Sequence, residues 1–261
     1  MSFIEFEGHK IYYRKSGEGK AVLFGHSYLW DCNMWNRVIE QLTSHYSCIS
    51  VDLPGHGLSE AMEGVTLKKL SDIHKAVMLH EGFETFSLVG LSIGAMWGAL
   101  LVLDKDIEVE EFIICNSSLS PEPAEKKALY MGMLTVIEQV QKIPEQIIAQ
   151  IAPGFFSPQR VAEFSGDFSE SLEKFPSSNI STIVEIGRSF IERGDLVNEL
   201  SGFSGRTLVI AGEYDFYRSS EEASIISLAI KCEKKMIAAG HISALEQPVL
   251  LSQLIDSFIS S

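Results

Sequence analysis

The sequence predicts an α/β fold: a mostly parallel central sheet, helices on both faces, and a helical insertion near the middle. Three observations predict it. Short apolar runs recur, among them Ala21-Val22-Leu23-Phe24, Cys48-Ile49-Ser50-Val51 and Thr207-Leu208-Val209-Ile210-Ala211, as strands buried on both faces require. Helical stretches separate these runs, and strand–helix alternation implies parallel pairing through crossover helices. Residues 118 to about 200 break the alternation, with six of the eight prolines and no convincing strand.

The N-terminal stretch, Met1-Ser2-Phe3-Ile4-Glu5, is expected to begin a strand and lacks the basic-then-apolar pattern of a signal. Residues 2–15 alternate around Gly8 as a hairpin, Phe3–Phe6 against Lys10–Arg14. Ser16-Gly17-Glu18-Gly19-Lys20 reads as a hairpin turn. It is not a phosphate loop, because no Ser or Thr follows the lysine and the glycine spacing is wrong. The strand Ala21–Phe24 ends in Gly25-His26-Ser27-Tyr28, where glycine permits a tight turn. A helix over Met34–Leu42 follows, with Trp35, Val38, Ile39 and Leu42 on one face.

The strand Cys48–Val51 ends in Asp52-Leu53-Pro54-Gly55-His56-Gly57-Leu58-Ser59, an irregular loop. A helix over Leu67–His80 leads to the strand Thr85–Val89. Next come Gly90-Leu91-Ser92-Ile93-Gly94 and a helical run, Ala95–Leu103. Glu111–Asn116 is a further strand.

Helical runs between the later prolines cover Ala124–Lys142, Glu145–Ala152, Gln159–Phe164 and Asn179–Arg193. The alternation then resumes with the strand Arg206–Ala211, Gly212-Glu213-Tyr214-Asp215, a helix over about Ser219–Leu228, the strand Lys234–Ile237, and Gly240-His241. Pro248 opens the last helix at a position where proline is tolerated. Its expected core face is Leu250, Leu251, Leu254, Ile255 and Phe258.

The net charge of −14 argues against nucleic acid and anionic membrane surfaces. No stretch approaches the ~20 apolar residues of a membrane span, so the cytoplasm is the expected compartment. Cys32, Cys48, Cys115 and Cys232 are scattered without a C-x-x-C and predict neither a metal site nor a disulfide framework. The histidines lack metal-ligand spacing such as H-E-x-x-H. No metal or cofactor is expected.

Chemistry concentrates at the strand ends, since sites in parallel sheets form outside the carboxyl ends of the strands. A serine between two glycines at a strand-to-helix turn is held clear of the sheet, beside free helix N–H groups. The pentapeptide alone arises by chance in roughly one such chain in ten. Its company matters more. Asp215 follows one late strand and His241 the last, giving the order Ser92, Asp215, His241. A serine hydroxyl needs an imidazole to accept its proton, and the imidazole needs a carboxylate to fix its tautomer.

These residues, with Phe24–Tyr28, Asp52–Ser59 and Gly240-His241-Ile242-Ser243-Ala244-Leu245-Glu246-Gln247-Pro248, resemble the α/β-hydrolase superfamily, in particular its small lid-bearing serine esterases and enol-lactone hydrolases. The resemblance implies an α/β-hydrolase core over 1–117 and 201–261, with a helical lid over 118–200. It implies Ser92 as nucleophile, His241 as general base and Asp215 as its orienting acid. It also implies an oxyanion hole from the backbone amides of Ile93 and Tyr28. Ser27, which stands where the family has glycine, is the alternative donor to Tyr28.

The expected substrate is a small ester, short to medium in acyl length and mainly apolar, with lactone, enol-lactone or thioester as alternatives. Met131, Phe155 and Phe156 are expected to line the acyl pocket. Arg160 or Arg188 could supply a basic spot for a polar acyl group. A different class of function, a triad-retaining small-molecule receptor or signalling partner, is distinguished by slow turnover.

Overall fold

The computed structural model describes residues 2–173 and 175–261; Met1, at the start of the expected first strand, lies outside them. β1 (Ser2–Phe6) and β2 (His9–Ser16) form the expected hairpin, with Ile4 opposite Ile11. The next turn is not a hairpin. β3 (Lys20–Gly25) and β2 both pair with β4 (Tyr46–Val51), β2 antiparallel and β3 parallel, so β4 lies between them. The turn crosses over the start of β4. A Cβ on Gly17 would stand 2.3 Å from the Tyr46 carbonyl oxygen, and one on Gly19 2.3 Å from that of His45. The glycines serve this close crossing, and local spacing does not distinguish it from a hairpin.

Between β3 and β4 the chain makes a 3₁₀ turn, Cys32–Trp35, and α1 (Asn36–Leu42). α2 (Leu67–His80), with Thr66 as N-cap, leads to β5 (Thr85–Leu91), α3 (Ile93–Leu101) and β6 (Glu108–Cys115). After the helical segment come β7 (Arg206–Gly212), a helix, and β8 (Glu233–Ile237). The sheet order is β1-β2-β4-β3-β5-β6-β7-β8, and every pair from β4 to β8 is parallel.

Successive strand residues face opposite sides of the sheet. Val22, Phe24, Val89 and Ile113 enter one core, with Val38 and Leu42 of α1. Leu23, Leu88, Phe112 and Ile114 enter the other, with Leu70 and Ile73 of α2 and Met96 and Trp97 of α3. Each large apolar side chain buried this way contributes about 1.5–3 kcal/mol.

The segment between β6 and β7 holds α4 (Ala124–Val140), α5 (Glu145–Ile151), α6 (Val161–Glu173), α7 (Ile180–Ile191) and α8 (Leu196–Leu200). α6 runs well past its expected end at Phe164. Phe164, Phe168 and Leu172 continue one apolar stripe at i, i+4 and i+8 across Gly166. α8 was not expected. Asp195 starts it by accepting the amides of Val197 and Asn198.

The last helices are α9 (Ser220–Ile230), which follows β7, then α10 (Ser243–Glu246) and α11 (Pro248–Ile259). α11 buries Leu251, Ile255 and Ile259, whereas Leu250 is 38% exposed. Leu250 lies one residue, and so about 100°, off that stripe.

Candidate active site

Ser92 sits between the end of β5 and the start of α3 with φ 56° and ψ −116°. A non-glycine residue in such a conformation carries about 1–3 kcal/mol of strain. Its surroundings enforce the turn. A Cβ on Gly90 would lie 2.5 Å from the Ala95 nitrogen, and one on Gly94 2.3 Å from the Gly25 carbonyl oxygen. Gly25 is itself pressed by Trp97, 2.4 Å from a built Cβ. The glycines therefore let β3, β5 and α3 close on one another under the serine. The Ser92 amide is held by the Cys115 carbonyl, and the Ser92 carbonyl accepts from the Ser117 hydroxyl at 2.8 Å.

His241 follows β8 and is 2% exposed. Its Nδ1 donates to both carboxylate oxygens of Asp215, at 3.0 Å each. An ionised carboxylate only accepts, so Nδ1 carries the proton and Nε2 is the basic atom. Asp215 also accepts from the amides of Tyr217 and Arg218, both at 2.9 Å, and from Asn116 Nδ2 at 3.0 Å. Glu213, in the same loop, is exposed and its side chain has no part in this set.

Asn116 was missed in the sequence. It stands just after β6 with φ 47°. Its Nδ2 also donates to the Gly240 carbonyl at 3.1 Å, and its Oδ1 accepts from the Ser243 hydroxyl at 2.7 Å. It thereby ties the Asp215 loop to both sides of His241. Its position after a strand on the active edge was the available signal.

Ser92 and His241 line one cavity of about 110 Å³ together with Ser27, Tyr28, Leu29 and Arg218. The Ser27 amide is engaged with Met34 Sδ at 3.4 Å, and the Leu29 amide with His56 Nε2 at 3.2 Å. Among the described residues the amides of Tyr28 and Ile93 have no backbone or side-chain acceptor.

The cavity's apolar walls come from Tyr130, Met133, Leu134 and Ile137 of α4, Ile147 and Ile151 of α5, Phe155, Phe190 and Tyr217. Of the expected acyl-pocket residues, Phe155 is on the lining, and Met131 and Phe156 are not. Residues 130, 133, 134 and 137 form one helical face, and Met131 falls beside it. Phe156 stacks on Phe164, ring centroids 5.3 Å apart, and sits 6.0 Å from the Trp30 ring, in an aromatic layer behind Phe155. Arg160 pairs with Glu163 and Arg188 with Glu138, and neither reaches the cavity. The arginine that does is Arg218.

A larger hollow of about 520 Å³, between Trp30, Arg37, Phe164 and Asn179, contains neither Ser92 nor His241. Among the described residues no group of three His, Cys, Asp or Glu side chains converges on a metal position, and no helix is long and apolar enough to cross a membrane.

Similarity to known proteins bears on the same features. The chain is 23% identical over 243 residues to 3-oxoadipate enol-lactonase 1 of Acinetobacter baylyi, covering 92% of this chain and 89% of that protein. It is 31% identical over 111 residues to pimeloyl-[acyl-carrier protein] methyl ester esterase of Proteus mirabilis, covering 42% of this chain and 41% of that protein. In fold it matches a malate-bound thermophilic esterase from Thermogutta terrifontis with a TM-score of 0.90 at 21% identity, over 100% of this chain and 98% of that one. The enol-lactonase from Burkholderia xenovorans gives 0.87 at 20% identity, over the whole of both chains. Residues 20–248 match the family model described as the alpha/beta hydrolase fold, and the chain belongs to that family.

Proposed function

We propose that this protein is a serine hydrolase that cleaves carboxylic esters of short to medium, mainly apolar acyl groups through an acyl-enzyme. The observation that carries the proposal is the strained Ser92 at the wall of the cavity that also holds His241, with His241 hydrogen-bonded through Nδ1 to Asp215.

In this reading Ser92 Oγ attacks the acyl carbonyl and His241 Nε2 takes its proton. The carbonyl oxygen becomes an oxyanion held by the amides of Tyr28 and Ile93. Tyr28 is favoured over Ser27 as donor because the Ser27 amide is already engaged by Met34 Sδ. The tetrahedral intermediate collapses, and the alcohol leaves with the proton from His241. Water, deprotonated by His241, then attacks the acyl-enzyme and releases the acid and free Ser92. Asp215 stays ionised throughout, fixing the tautomer and balancing the imidazolium.

The helices over residues 118–200 act as a lid in this reading. Tyr130, Met133, Leu134 and Phe155 bound the acyl group. A lactone is opened by the same steps, its alcohol remaining part of the product, and the likeness to enol-lactonases along most of the chain supports that second reading.

Turnover of p-nitrophenyl esters from acetate to decanoate, with wild type and Ser92→Ala, tests the proposal. Hydrolysis lost on substitution with the fold retained supports it. No turnover of any ester or lactone points to a binding protein instead.

A further inference from the structure

Arg218 is the one charged side chain outside the Ser92–His241 pair that lines the cavity among the described residues. It is 6% exposed at the side chain and belongs to a buried cluster. Arg218 Nη1 donates to both oxygens of Glu122, at 3.0 Å, and to Glu222 at 3.3 Å. Arg193 Nη1 donates to the same Glu122 at 2.8 Å and to the Phe190 carbonyl at 2.7 Å. Each guanidinium thus spends a single nitrogen on the protein. Arg218 Nε and Arg193 Nε and Nη2 are buried without an acceptor among the described residues.

All four oxygens of the two glutamates already accept a hydrogen bond. Both Glu122 oxygens are taken, and the second Glu222 oxygen accepts the Ser219 amide. Lys126, bonded to the Tyr217 carbonyl at 3.3 Å, and Asp215, which accepts the Arg218 amide, keep the local charges even, so what the cluster lacks is acceptors for its unpaired guanidinium N–H groups. A buried guanidinium lacking acceptors is costly, and a planar pair of oxygens is the group its fork geometry fits. The rest of the wall is aliphatic and aromatic apart from Ser27 and the hydroxyls of Tyr28, Tyr130 and Tyr217, so an anionic group of a ligand has Arg218 as its one charged partner away from the reacting atoms.

We propose that Arg218 binds a carboxylate at the far end of an otherwise apolar acyl chain, so that among the short to medium esters of the proposed function the preferred substrate is the half-ester or lactone of a dicarboxylic acid. The proposal rests on the serine-hydrolase reading, because the same cavity holds the scissile carbonyl. Arg218 touches substrate as a specificity residue and takes no part in bond making. The Arg218 backbone amide, by contrast, holds Asp215, and a side-chain substitution leaves that bond available.

The test compares monomethyl with dimethyl esters of succinate, glutarate, adipate and pimelate, which differ in the charge at the far end. For wild type, kcat/KM for at least one monoester should exceed that of its diester by roughly tenfold to a hundredfold, the range of a hydrogen-bonded charged contact. In Arg218→Met that ratio should fall to near one, and Arg218→Lys should keep part of it. If Arg218→Met does not fold, the wild-type ratio and Arg218→Lys carry the comparison. Calorimetric binding of the same esters to Ser92→Ala reads the contact without turnover, and the monoester should bind at least tenfold more tightly. Diesters hydrolysed as well as monoesters at every length, with equal binding to Ser92→Ala, would overturn the role of Arg218 and leave the serine hydrolase standing. No hydrolysis of any ester, with the monoester still bound selectively, would remove the hydrolase and keep the carboxylate site.

Discussion

His26 and His56 each hold the other's loop. His26 Nε2 accepts the Leu53 amide at 2.9 Å, and His56 Nε2 accepts the Leu29 amide at 3.2 Å. Each ring donates from Nδ1 within its own loop, His26 to the Ser27 carbonyl at 2.8 Å and His56 to the Pro54 carbonyl at 2.9 Å. The two loops are thereby locked together beneath the Tyr28 amide. Leu29, held at φ 67°, turns the chain there. In the proposed mechanism, His56→Asn should loosen the loop that carries the Tyr28 amide and lower kcat by tenfold or more with a smaller change in KM, since losing one oxyanion donor outright costs ~10²–10³. Steady-state kinetics on a short ester checks this.

The same pair sets an acid limit on stability. Burial holds each ring at about 3, and His74 at about 4, well below an unfolded imidazole. Between those values and ~6.5 the unfolded chain binds protons that the folded chain refuses. Stability is therefore complete above the unfolded value and drains as pH falls toward 3. Each such histidine adds about 1.4 kcal/mol per pH unit to the slope. Urea unfolding of His56→Asn between pH 4 and 6 should show a slope shallower by about one proton.

Under the proposed mechanism Asp215 and Glu213 should separate by function. Asp215→Asn should lower kcat by roughly 10⁴ through the wrong imidazole tautomer. Glu213→Gln, at an exposed carboxylate apart from His241, should stay within a factor of two. Kinetics on the two variants, each checked for folding by circular dichroism, ranks them.

Phe155 and Met131 separate in the same way. Phe155→Ala should move the acyl-length optimum toward longer esters, because each added methylene gains about 0.8 kcal/mol where there is room to bury it. Met131→Ala should leave the optimum in place, since Met131 lies off the lining face of α4. A kcat/KM series from acetate to decanoate for both variants is the measurement.

Much of the fold was legible locally because its signals are local. α2 begins and ends at its expected residues, Leu67 and His80, where a Thr cap and an apolar stripe define it. The buried strands announced themselves as apolar runs. The order β2-β4-β3 did not, because the crossing at Gly17 and Gly19 depends on where β4 inserts. The three side chains of the candidate site could be named because each lies within a few residues beyond the carboxyl end of a strand. Asn116 and Arg218 could not. Asn116 has meaning only once β6, β7 and the His241 loop converge. Arg218 precedes a Ser219–Glu222 capping box, so in sequence it reads as an ordinary residue at a helix start.

In the proposed mechanism Ser92 is the nucleophile and His241 its base. Incubation with a fluorophosphonate, followed by intact-mass and peptide mass spectrometry, tests it most directly. Wild type should gain one adduct, located on Ser92. His241→Ala should react at least a hundredfold more slowly, and Ser92→Ala should not react. An adduct on another residue, or equal labelling of Ser92→Ala and wild type, would rule Ser92 out as the nucleophile.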